Sequence, residues 1–332
     1  MTGKSITLHI GASKCGSSAL QTQLSASPII HRVDGSQINY AIFDVKNNSI
    51  TDKERLISGR GMHGYKVSPN AKDLMSMDFK KIRKNISEYP TDLLFSSEGW
   101  LFQPSEWKEI LKKLDLNVNI IVYVRPQVSV LNSAWWQWGA WSDQVFEDWM
   151  QNRLNASLWG ERIKRWAQLD HISSLTVRPV PTDIIPDFYE NVLKASKPDT
   201  VTRPNPSLPG PVLRLFQRNR SLRKGIHSSG IDFALSNVIK MEDPSIWVLN
   251  EDFIERILAK TKNDNELLMS FMDEPASRHV RDDPHWWSAS AYKDKIYEEP
   301  HEQSIPPEKL EEMCVKMASA IYEIQAKHLK NK

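Results

Sequence analysis

The stretch that decides the fold lies close to the start of the sequence. It reads ITLHI over Ile6–Ile10, GASKCGSS over Gly11–Ser18 and ALQTQL over Ala19–Leu24. These three segments are typical of a buried strand, a glycine-bounded loop and the start of a helix. In such a loop the backbone N–H groups and the N-terminus of the helix point at a bound phosphate. The stretch therefore predicts a phosphate-binding turn between a strand and a helix.

The position of the lysine indicates which class of phosphate ligand the loop binds. A nucleotide-triphosphatase loop carries its lysine directly after its second glycine, and a serine or threonine follows. Here Ser17 and Ser18 follow the second glycine, Gly16, and Lys14 precedes that glycine by two positions. The loop is therefore typical of one that binds a phosphate ester, in which the lysine contacts a different phosphate oxygen from the one that the lysine of a nucleotide-triphosphatase loop contacts. A P-loop kinase is the first alternative, and the lysine position disfavours it, as does the lack of a clear strand-end aspartate for Mg²⁺.

Apolar runs farther along the chain predict the rest of a sheet. The predicted strands are Ile6–Ile10, Asp92–Phe95, Asn119–Val124 and Leu175–Val177. The predicted helices are Ser17–Leu24, Phe79–Ser87, Pro104–Leu114, Val128–Trp138, Phe146–Arg153 and Trp159–Leu169. Strands that alternate with helices imply a parallel sheet with crossover helices. We expect an α/β, P-loop-like three-layer fold with a central, mainly parallel sheet flanked by helices and a mostly helical C-terminal part.

Three charged residues each follow one of those strands. Lys14 follows the first strand, Glu98 the second and Arg125 the third. Ligands of open α/β sheets bind at the carboxyl ends of the strands. We therefore expect these three side chains to lie at one crevice.

The domain organisation is predicted from a break in composition. Residues 197–211 contain five prolines, which interrupt regular structure. We expect one domain over residues 1–332, with an α/β core over 1–196 and a mostly helical extension over 197–332. Near the end of the chain a helical stripe of apolar residues comprises Leu310, Met313, Met317, Ile321 and Ile324.

Two of these motifs together resemble the sulfotransferases that use 3′-phosphoadenosine-5′-phosphosulfate (PAPS). The segment HIGASKCGSSALQ, His9–Gln21, is similar to the family's 5′-phosphosulfate loop. The family's 3′-phosphate site pairs a strand-end arginine with a serine eight residues later, and Arg125 and Ser133 have that spacing. Two further segments, Leu94–Glu98 and Arg203–Leu208, resemble elements of bacterial carbohydrate sulfotransferases. The matches span about residues 6–210, roughly two thirds of the chain.

The resemblance implies a PAPS site and a role for each matching residue. Its cofactor-binding residues are Ser13, Lys14, Cys15, Gly16, Ser17, Ser18, Arg125 and Ser133. Lys14 would contact the bridging or 5′-phosphate oxygens, and the loop residues after it would donate to the 5′-phosphate. The sequence departs from the family at Cys15, where the family usually has Thr or Ser, and at Trp135, where it commonly has Tyr.

The general base has two candidates. Transfer of a sulfuryl group to an alcohol requires the hydroxyl proton to be removed, and a strand-end carboxylate such as Glu98 suits that task. The alternative role for Glu98 is at the N-terminus of a helix. His63, in a glycine-spaced segment, is the rival base, although a lone histidine more commonly makes a structural hydrogen bond. Lys66, in the same segment, is predicted to bind an acidic acceptor.

A dense tryptophan segment lies beyond the third strand. It contains Trp135, Trp136, Trp138 and Trp141, and Trp135 and Trp138 share one face of the predicted helix. These rings either pack in the core or form a stacking platform for adenine or a sugar, for which Trp135 and Trp138 are the candidates. Farther on, Arg218, Arg220 and Arg223 are predicted to form a basic face.

Composition excludes several classes of partner and site. A net charge of +2 is too small to argue for nucleic acid, and the two cysteines give no disulfide framework or metal pattern. No apolar run approaches the ~20 residues of a membrane span, and no signal peptide precedes the first strand. We expect a cytoplasmic bacterial enzyme that needs no metal and has a glycan or small-molecule acceptor. Its oligomeric state stays open.

The sequence therefore predicts a PAPS-dependent sulfotransferase that acts on a carbohydrate hydroxyl by in-line displacement. Glu98 takes the acceptor proton, Lys14 faces the leaving phosphate, and Arg125 with Ser133 holds the 3′-phosphate. A non-catalytic glycan-binding protein on the same fold is the second alternative, and it suits the tryptophan content.

Overall fold

The computed structural model describes most of the chain. The described residues are 6–44, 49–58, 67–199, 208–226, 228–236, 239 and 241–330. His63, Lys66 and residues 203–207 of the later motif lie outside them, so their predicted roles stay predictions.

Seven strands of the described chain form one sheet. Their bounds are β1 Ile6–His9, β2 Ile29–His31, β3 Gln37–Phe43, β4 Ser49–Ile50, β5 Asp92–Ser96, β6 Val118–Val124 and β7 Ile172–Pro179. The order is β2-β3-β5-β1-β6-β7, and β4 pairs with β3. β3, β5, β1, β6 and β7 run parallel, whereas β2 and β4 are antiparallel to β3. The predicted α/β fold with a mainly parallel central sheet is confirmed.

Helices occupy the connections between the strands and most of the later chain. The first eight are α1 Ser17–Ala26, α2 Lys53–Ile57, α3 Ala71–Met75, α4 Phe79–Glu88, α5 Pro104–Leu114, α6 Gln127–Gln137, α7 Phe146–Ala156 and α8 Trp159–Ala167. The others are α9 Ile184–Pro186, α10 Gly210–Arg218, α11 Gly230–Ser236, α12 Glu251–Met269, α13 Glu274–Asp282 and α14 Pro307–Lys330. A π-helical segment spans Asp187–Val192. Short 3-10 segments lie at Trp100–Phe102, Gly139–Trp141, Pro284–Trp286 and Ala289–Tyr292. Within the described residues, no helix is both long and apolar enough to cross a membrane.

The chain forms two compact units whose segments alternate along the sequence. The first unit comprises Met1–Gln127, Ser157–Pro204 and Leu258–Ser288, and the second comprises Val128–Ala156, Asn205–Ile257 and Ala289–Lys332. All seven strands belong to the first unit. The division at residue 196 predicted from the sequence stays a prediction.

The central strands of the first unit are buried along their whole length. Every residue of β1 is buried, and Leu8 is 1% exposed. In β6 only Asn119 has intermediate exposure. Strands in the middle of a parallel sheet are covered on both faces, which explains their continuous apolar sequence. The rigid sheet fixes the ends of β1, β5 and β6, and the candidate site begins at those ends.

The second unit is organised around aromatic rings and buried arginines. Trp141 packs edge-on against Phe216, with 6.2 Å between ring centroids. Arg214, 4% exposed, donates to the carbonyls of Glu299 at 2.7 Å and His301 at 2.5 Å. These bonds explain how a charged side chain is buried without a large cost.

The C-terminal helix buries only part of its predicted apolar stripe. In α14, Met313 is 1% exposed, whereas Ile321 is 58% and Ile324 is 59% exposed. The stripe therefore packs at Met313, while Leu310 before it is 36% exposed and the residues at its far end reach solvent.

Candidate active site

Backbone hydrogen bonds carry the first strand onward into the phosphate loop. The N–H of Ile10 donates to the carbonyl of Ile121 at 3.0 Å, and that of Ala12 donates to Tyr123 at 2.8 Å. Tyr123 in turn donates its N–H to the carbonyl of Gly11 at 2.8 Å. The start of the loop is therefore held to β6 as firmly as a strand is, and its position is set by the sheet.

On its other side the loop touches the end of β5. Gly11 has a φ of 118°, a left-handed conformation that favours glycine. A Cβ atom at this position would lie 2.7 Å from the carbonyl oxygen of Glu98. The N–H of Ser97 also donates to the carbonyl of His9 at 3.0 Å. Only glycine permits this approach, which brings the backbone of Glu98 against the loop.

The second glycine shapes the start of α1. Gly16 has a φ of 87° and is the N-cap residue of the helix, and a Cβ there would lie 2.7 Å from the Cδ1 of Ile184. The hydroxyl of Ser17 donates to the carbonyl of Ala12 at 3.1 Å, which closes the loop on itself. The N–H groups of the first helical turn have no partner within the helix, and the helix dipole makes this end positive. The loop is therefore built to face an anion.

The charges of Arg125, Lys14 and Glu98 all act on the thiol of Cys15, which is fully buried. Burial raises the pKa of this thiol to about 12; nearby Arg125 and Lys14 oppose the rise, and Glu98 adds to it. Arg125 also donates from Nη1 to the carbonyl of Lys14 at 3.3 Å. Lys14, Glu98 and Arg125 thus come together at the carboxyl ends of the neighbouring strands β1, β5 and β6. Ser13 and Ser18 are half-buried in the same loop.

The environment of Glu98 suits a proton acceptor. Burial raises the pKa of its carboxyl group above the ordinary value, and the positive charge of Lys14 partly opposes that rise. Glu98 as a whole residue keeps intermediate exposure. A carboxylate of raised pKa is a stronger base than one in water. The chain turns away into the 3-10 segment at Trp100, so Glu98 does not cap α5, which begins at Pro104.

The predicted 3′-phosphate pair falls in different units. Arg125 directly follows β6 in the first unit, and its carbonyl accepts a hydrogen bond from Nε1 of Trp159 at 3.0 Å. Ser133 is half-buried in α6 and belongs to the second unit. Its role beside Arg125 stays a prediction.

A buried polar cluster beneath the loop was not predicted from the sequence. His9 Nδ1 lies 2.8 Å from Ser96 Oγ, and Gln21 Nε2 donates to the same oxygen at 3.0 Å. Burial lowers the pKa of His9 to about 4, so its ring is neutral near pH 7. The available signal was a polar residue at the last position of each of two mainly apolar strands, β1 and β5.

A second unpredicted network holds the ends of β6 and β7. Asp187 receives two hydrogen bonds from Arg178, at 2.7 and 2.8 Å, and one from the hydroxyl of Tyr123 at 2.7 Å. Asn191 donates to it at 2.9 Å. These donors outweigh burial and lower the pKa of Asp187. The network fixes the strand end next to the phosphate loop.

The tryptophan segment is largely core. Trp135 is 4% exposed and lies edge-on to Phe146 and Trp149, with centroids 4.9 and 5.4 Å away. Nε1 of Trp136 donates to the carbonyl of Ile246 at 2.9 Å. Trp138 is half-buried, and the guanidinium of Arg153 lies 4.7 Å from its ring centroid. Core packing, the first of the two alternatives, describes these rings, and the stacking role of Trp135 and Trp138 stays a prediction.

The predicted basic face is wrong at Arg223. This side chain is 1% exposed, pairs with Asp232 and donates to the carbonyl of Gln137 at 2.7 Å. Its guanidinium lies 4.4 Å from the ring centroid of Trp141. Arg223 therefore holds the second unit together, because a buried guanidinium needs a paired charge and bonded N–H groups. Arg218 and Arg220 are exposed.

The chain matches no protein-family model and no curated protein. It is similar to the crystal structure of a sulfotransferase from Alicyclobacillus acidocaldarius, with 13% sequence identity, a TM-score of 0.38, and coverage of 82% of this chain and 98% of that chain. A likeness this low carries no argument about function. Across the described residues, no cluster of three or more His, Cys, Asp or Glu side chains is arranged to hold a metal ion.

Proposed function

We propose that the protein is a PAPS-dependent sulfotransferase that transfers a sulfuryl group to a hydroxyl of an acceptor, most simply a carbohydrate. The observation that carries this proposal is the meeting of Lys14, Arg125 and Glu98 around a phosphate loop at the ends of three adjacent strands. Two cations and a basic carboxyl group beside N–H donors are what transfer between an anionic donor and an alcohol requires.

The loop fits the anionic part of such a donor. Gly11 and Gly16 let the backbone of Glu98 and the side chain of Ile184 pack directly against the loop, and the N-terminus of α1 supplies N–H groups and a positive dipole. Lys14 adds a point charge, and Arg125 offers a fork suited to phosphate. We assign the loop to the 5′-phosphosulfate, and Arg125 with Ser133 to the 3′-phosphate.

Two side chains take roles in the chemistry. When bound, PAPS would supply an activated sulfuryl group. Lys14 and the loop N–H groups stabilise the negative charge that grows on the phosphate oxygens during transfer. Glu98, whose pKa is raised by burial, accepts the proton of the acceptor hydroxyl. His63 remains the rival base, since it lies outside the described residues.

Calorimetry tests the donor assignment. The product 3′,5′-adenosine bisphosphate should bind much more tightly than AMP or ATP, without Mg²⁺. Arg125→Ala should remove about 1.5–3 kcal/mol of that preference, the worth of charge-assisted hydrogen bonds to a phosphate. Arg32→Ala is the matched control, because Arg32 pairs with Asp92 at the opposite end of the sheet, 2.9 Å away. Equal affinity for AMP and the bisphosphate would overturn the proposal.

A transfer assay tests the acceptor. The protein is incubated with ³⁵S-labelled PAPS and a panel of oligosaccharides, phenols and lipid alcohols. Label on an oligosaccharide supports the carbohydrate assignment. Label on phenols alone overturns the acceptor class but keeps the reaction. Tight bisphosphate binding without transfer to any class would instead favour the non-catalytic alternative.

A further inference from the structure

The buried cluster of His9, Ser96 and Gln21 joins the three elements that build the candidate site. His9 ends β1, Ser96 ends β5, and Gln21 lies in α1, the helix that starts at the phosphate loop. His9 and Ser96 are 0% exposed and Gln21 is 2% exposed. Solvent therefore does not reach these polar groups, so the hydrogen bonds that they form lie within the protein.

The hydrogen bonds of the cluster have a defined direction. The amide nitrogen of Gln21 only donates, so Ser96 Oγ is its acceptor. In the neutral tautomer that carries its proton on Nε2, the hydroxyl of Ser96 donates to Nδ1 of His9, 2.8 Å away, and Nε2 itself has no hydrogen-bond partner among the described residues. A neutral ring is required for this arrangement, in agreement with the pKa of about 4. Ser96 is thus the node through which the other two side chains are linked.

The node lies two residues before Glu98. The next residue, Ser97, donates its N–H to the carbonyl of His9 at 3.0 Å. The end of β5 is therefore held to His9 twice, through the side chain of Ser96 and through the backbone of Ser97. The same hydroxyl also connects β5 to α1 through Gln21. Displacement of Ser96 would shift Glu98 relative to both flanks of the phosphate loop.

We propose that Ser96, held by His9 and Gln21, is a positioning residue that fixes the carboxyl group of Glu98 relative to the phosphate loop. This rests on the proposed function. Three buried polar side chains make little net contribution to stability compared with apolar packing, but they define one geometry. Catalysis is sensitive to that geometry, because a displacement of about 1 Å at a reacting group costs on the order of 100-fold in rate.

Kinetics of two variants test the proposal. Ser96→Ala removes the node, and His9→Phe keeps a planar ring but removes the Nδ1 acceptor. Each should lower kcat by roughly 10–100-fold and change the Kd of adenosine bisphosphate by less than about threefold. The double variant should be no worse than either single one, since both break the same link. His9→Asn, which can place an acceptor near the Nδ1 position, should recover part of kcat.

Ser25→Ala provides the matched control. Ser25 lies in the same helix as Gln21, is 0% exposed, and has a hydroxyl with no hydrogen-bond partner in the described part of the chain. The kcat of the Ser25→Ala variant should equal that of the wild type. An unchanged kcat in folded Ser96→Ala and His9→Phe would overturn the proposal. So would a fall in kcat matched by equal losses of nucleotide affinity and Tm, because the cluster would then support the fold as a whole.

A titration separates this proposal from the proposed function. The side-chain carbon of Glu98 is observed by ¹³C NMR in the wild type, Ser96→Ala and Ser25→Ala, without nucleotide or acceptor. Only Ser96→Ala should shift the titration midpoint of Glu98 toward that of an ordinary glutamate, since a displaced carboxyl group is more hydrated. An unmoved midpoint overturns the positioning role. A wild type that neither binds the bisphosphate nor transfers sulfate overturns the proposed function, and the titration still decides the role of Ser96.

Discussion

The phosphate loop, residues 11–18, and the tryptophan segment, residues 135–141, are held in place by different kinds of interaction. The loop is made by backbone: two glycines of positive φ and backbone hydrogen bonds to β6 hold it, with the charged side chains at its rim. The segment is made by side chains, and Trp135, Trp136 and Trp141 are each at most 6% exposed. The loop holds charged groups at its rim, whereas the segment buries its rings and directs the indole N–H groups of Trp136 and Trp141 to internal carbonyls.

The difference shows which kind of sequence signal predicts a binding site. At Gly11 and Gly16 any other residue would place a Cβ atom in a clash, so only glycine fits. The spacing of the two glycines therefore predicts the backbone conformation of the loop. A tryptophan contributes a large apolar area in any buried place, so density of tryptophan does not separate a core from a platform. Changes in the loop should therefore alter turnover, and changes in the segment should alter stability.

The largest effect is expected from Glu98→Gln, which keeps shape and removes the proton acceptor. It should cut kcat by about 10²–10⁴-fold and leave the affinity for adenosine bisphosphate nearly unchanged. The pKa of Glu98 is raised in the folded state, so its ionised form destabilises the fold at neutral pH. The variant should therefore be at least as stable as the wild type.

Steady-state kinetics, calorimetry and urea denaturation check the three parts of that prediction. Glu161→Gln is the control, because Glu161 is an exposed residue of α8 whose side chain is 4.0 Å from Lys164. An active Glu98→Gln enzyme together with an inactive His63→Asn enzyme would move the base to His63. Loss of nucleotide binding in both variants would leave neither residue as the base.

Trp141→Ala should give the largest effect in the other region. The side chain is 2% exposed, and its Nε1 donates to the carbonyl of Trp136 at 2.7 Å. Its removal leaves a cavity beneath Arg223 and should lower the free energy of unfolding by about 3–5 kcal/mol. Urea denaturation measures this loss, and kcat per folded molecule should stay within about twofold.

Trp138→Ala is the matched variant in the same segment. Trp138 is half-buried and pairs with Arg153, so its loss should cost about 0.5–1 kcal/mol. A tenfold rise in acceptor KM with little loss of stability would instead show that this ring is a stacking platform. The comparison between the two regions would then fail at Trp138.

Much of the fold follows from local sequence. Each of the four predicted strands and six predicted helices is present, with ends shifted by a few residues at most. Long apolar or periodic runs predict a strand or a helix without information from the rest of the chain. The strands β2, β3 and β4 were not predicted. β2 has three residues of which only Ile30 is buried, and its pairing with β3 is decided by a turn at Asp34 and Gly35. β2 and β4 are antiparallel additions with too few residues for a period, whereas β3 has seven residues, pairs parallel with β5 and was missed although six of its residues are buried.

Part of the candidate site, like part of the fold, could be predicted from the sequence. Strand order brings Lys14, Glu98 and Arg125 to one edge, and the sequence predicts this because each follows a strand. The partners that hold the edge are distant in sequence: Tyr123 with Asp187, and His9 with Ser96. No local pattern specifies which buried polar groups meet, since that depends on tertiary packing.

Lys14→Ala is the next test of the loop. Charge on the leaving phosphate grows in the transition state, so turnover should fall by about 10²–10³-fold while the affinity for adenosine bisphosphate falls much less. Lys194→Ala is the control, because Lys194 is an exposed lysine whose φ of 54° is close to the 62° of Lys14. A raised KM with preserved kcat would make Lys14 a binding residue only.

The last expected effect is a loss of stability in acid that originates at His9, beneath the loop. The pKa of His9 is lowered from 6.5 to about 4 by burial, so the folded state disfavours the protonated ring. The unfolded chain therefore binds more protons between those values, and stability must fall as the pH drops from 6.5 towards 4. The loss should reach about 2 kcal/mol near pH 5 and saturate below pH 4.

Urea denaturation of the wild type and His9→Phe at pH 7, 6 and 5 measures this dependence. The variant should lose the part of the slope that comes from His9, even if it is less stable at pH 7. Asp187 does not interfere, because its pKa is lowered from 3.8 and its contribution is lost only in stronger acid. Glu98 acts in the opposite sense, since protonation relieves the cost of its buried charge. Parallel slopes for the two proteins would mean that His9 is not held neutral, and the hydrogen-bond direction assigned to Ser96 would be wrong.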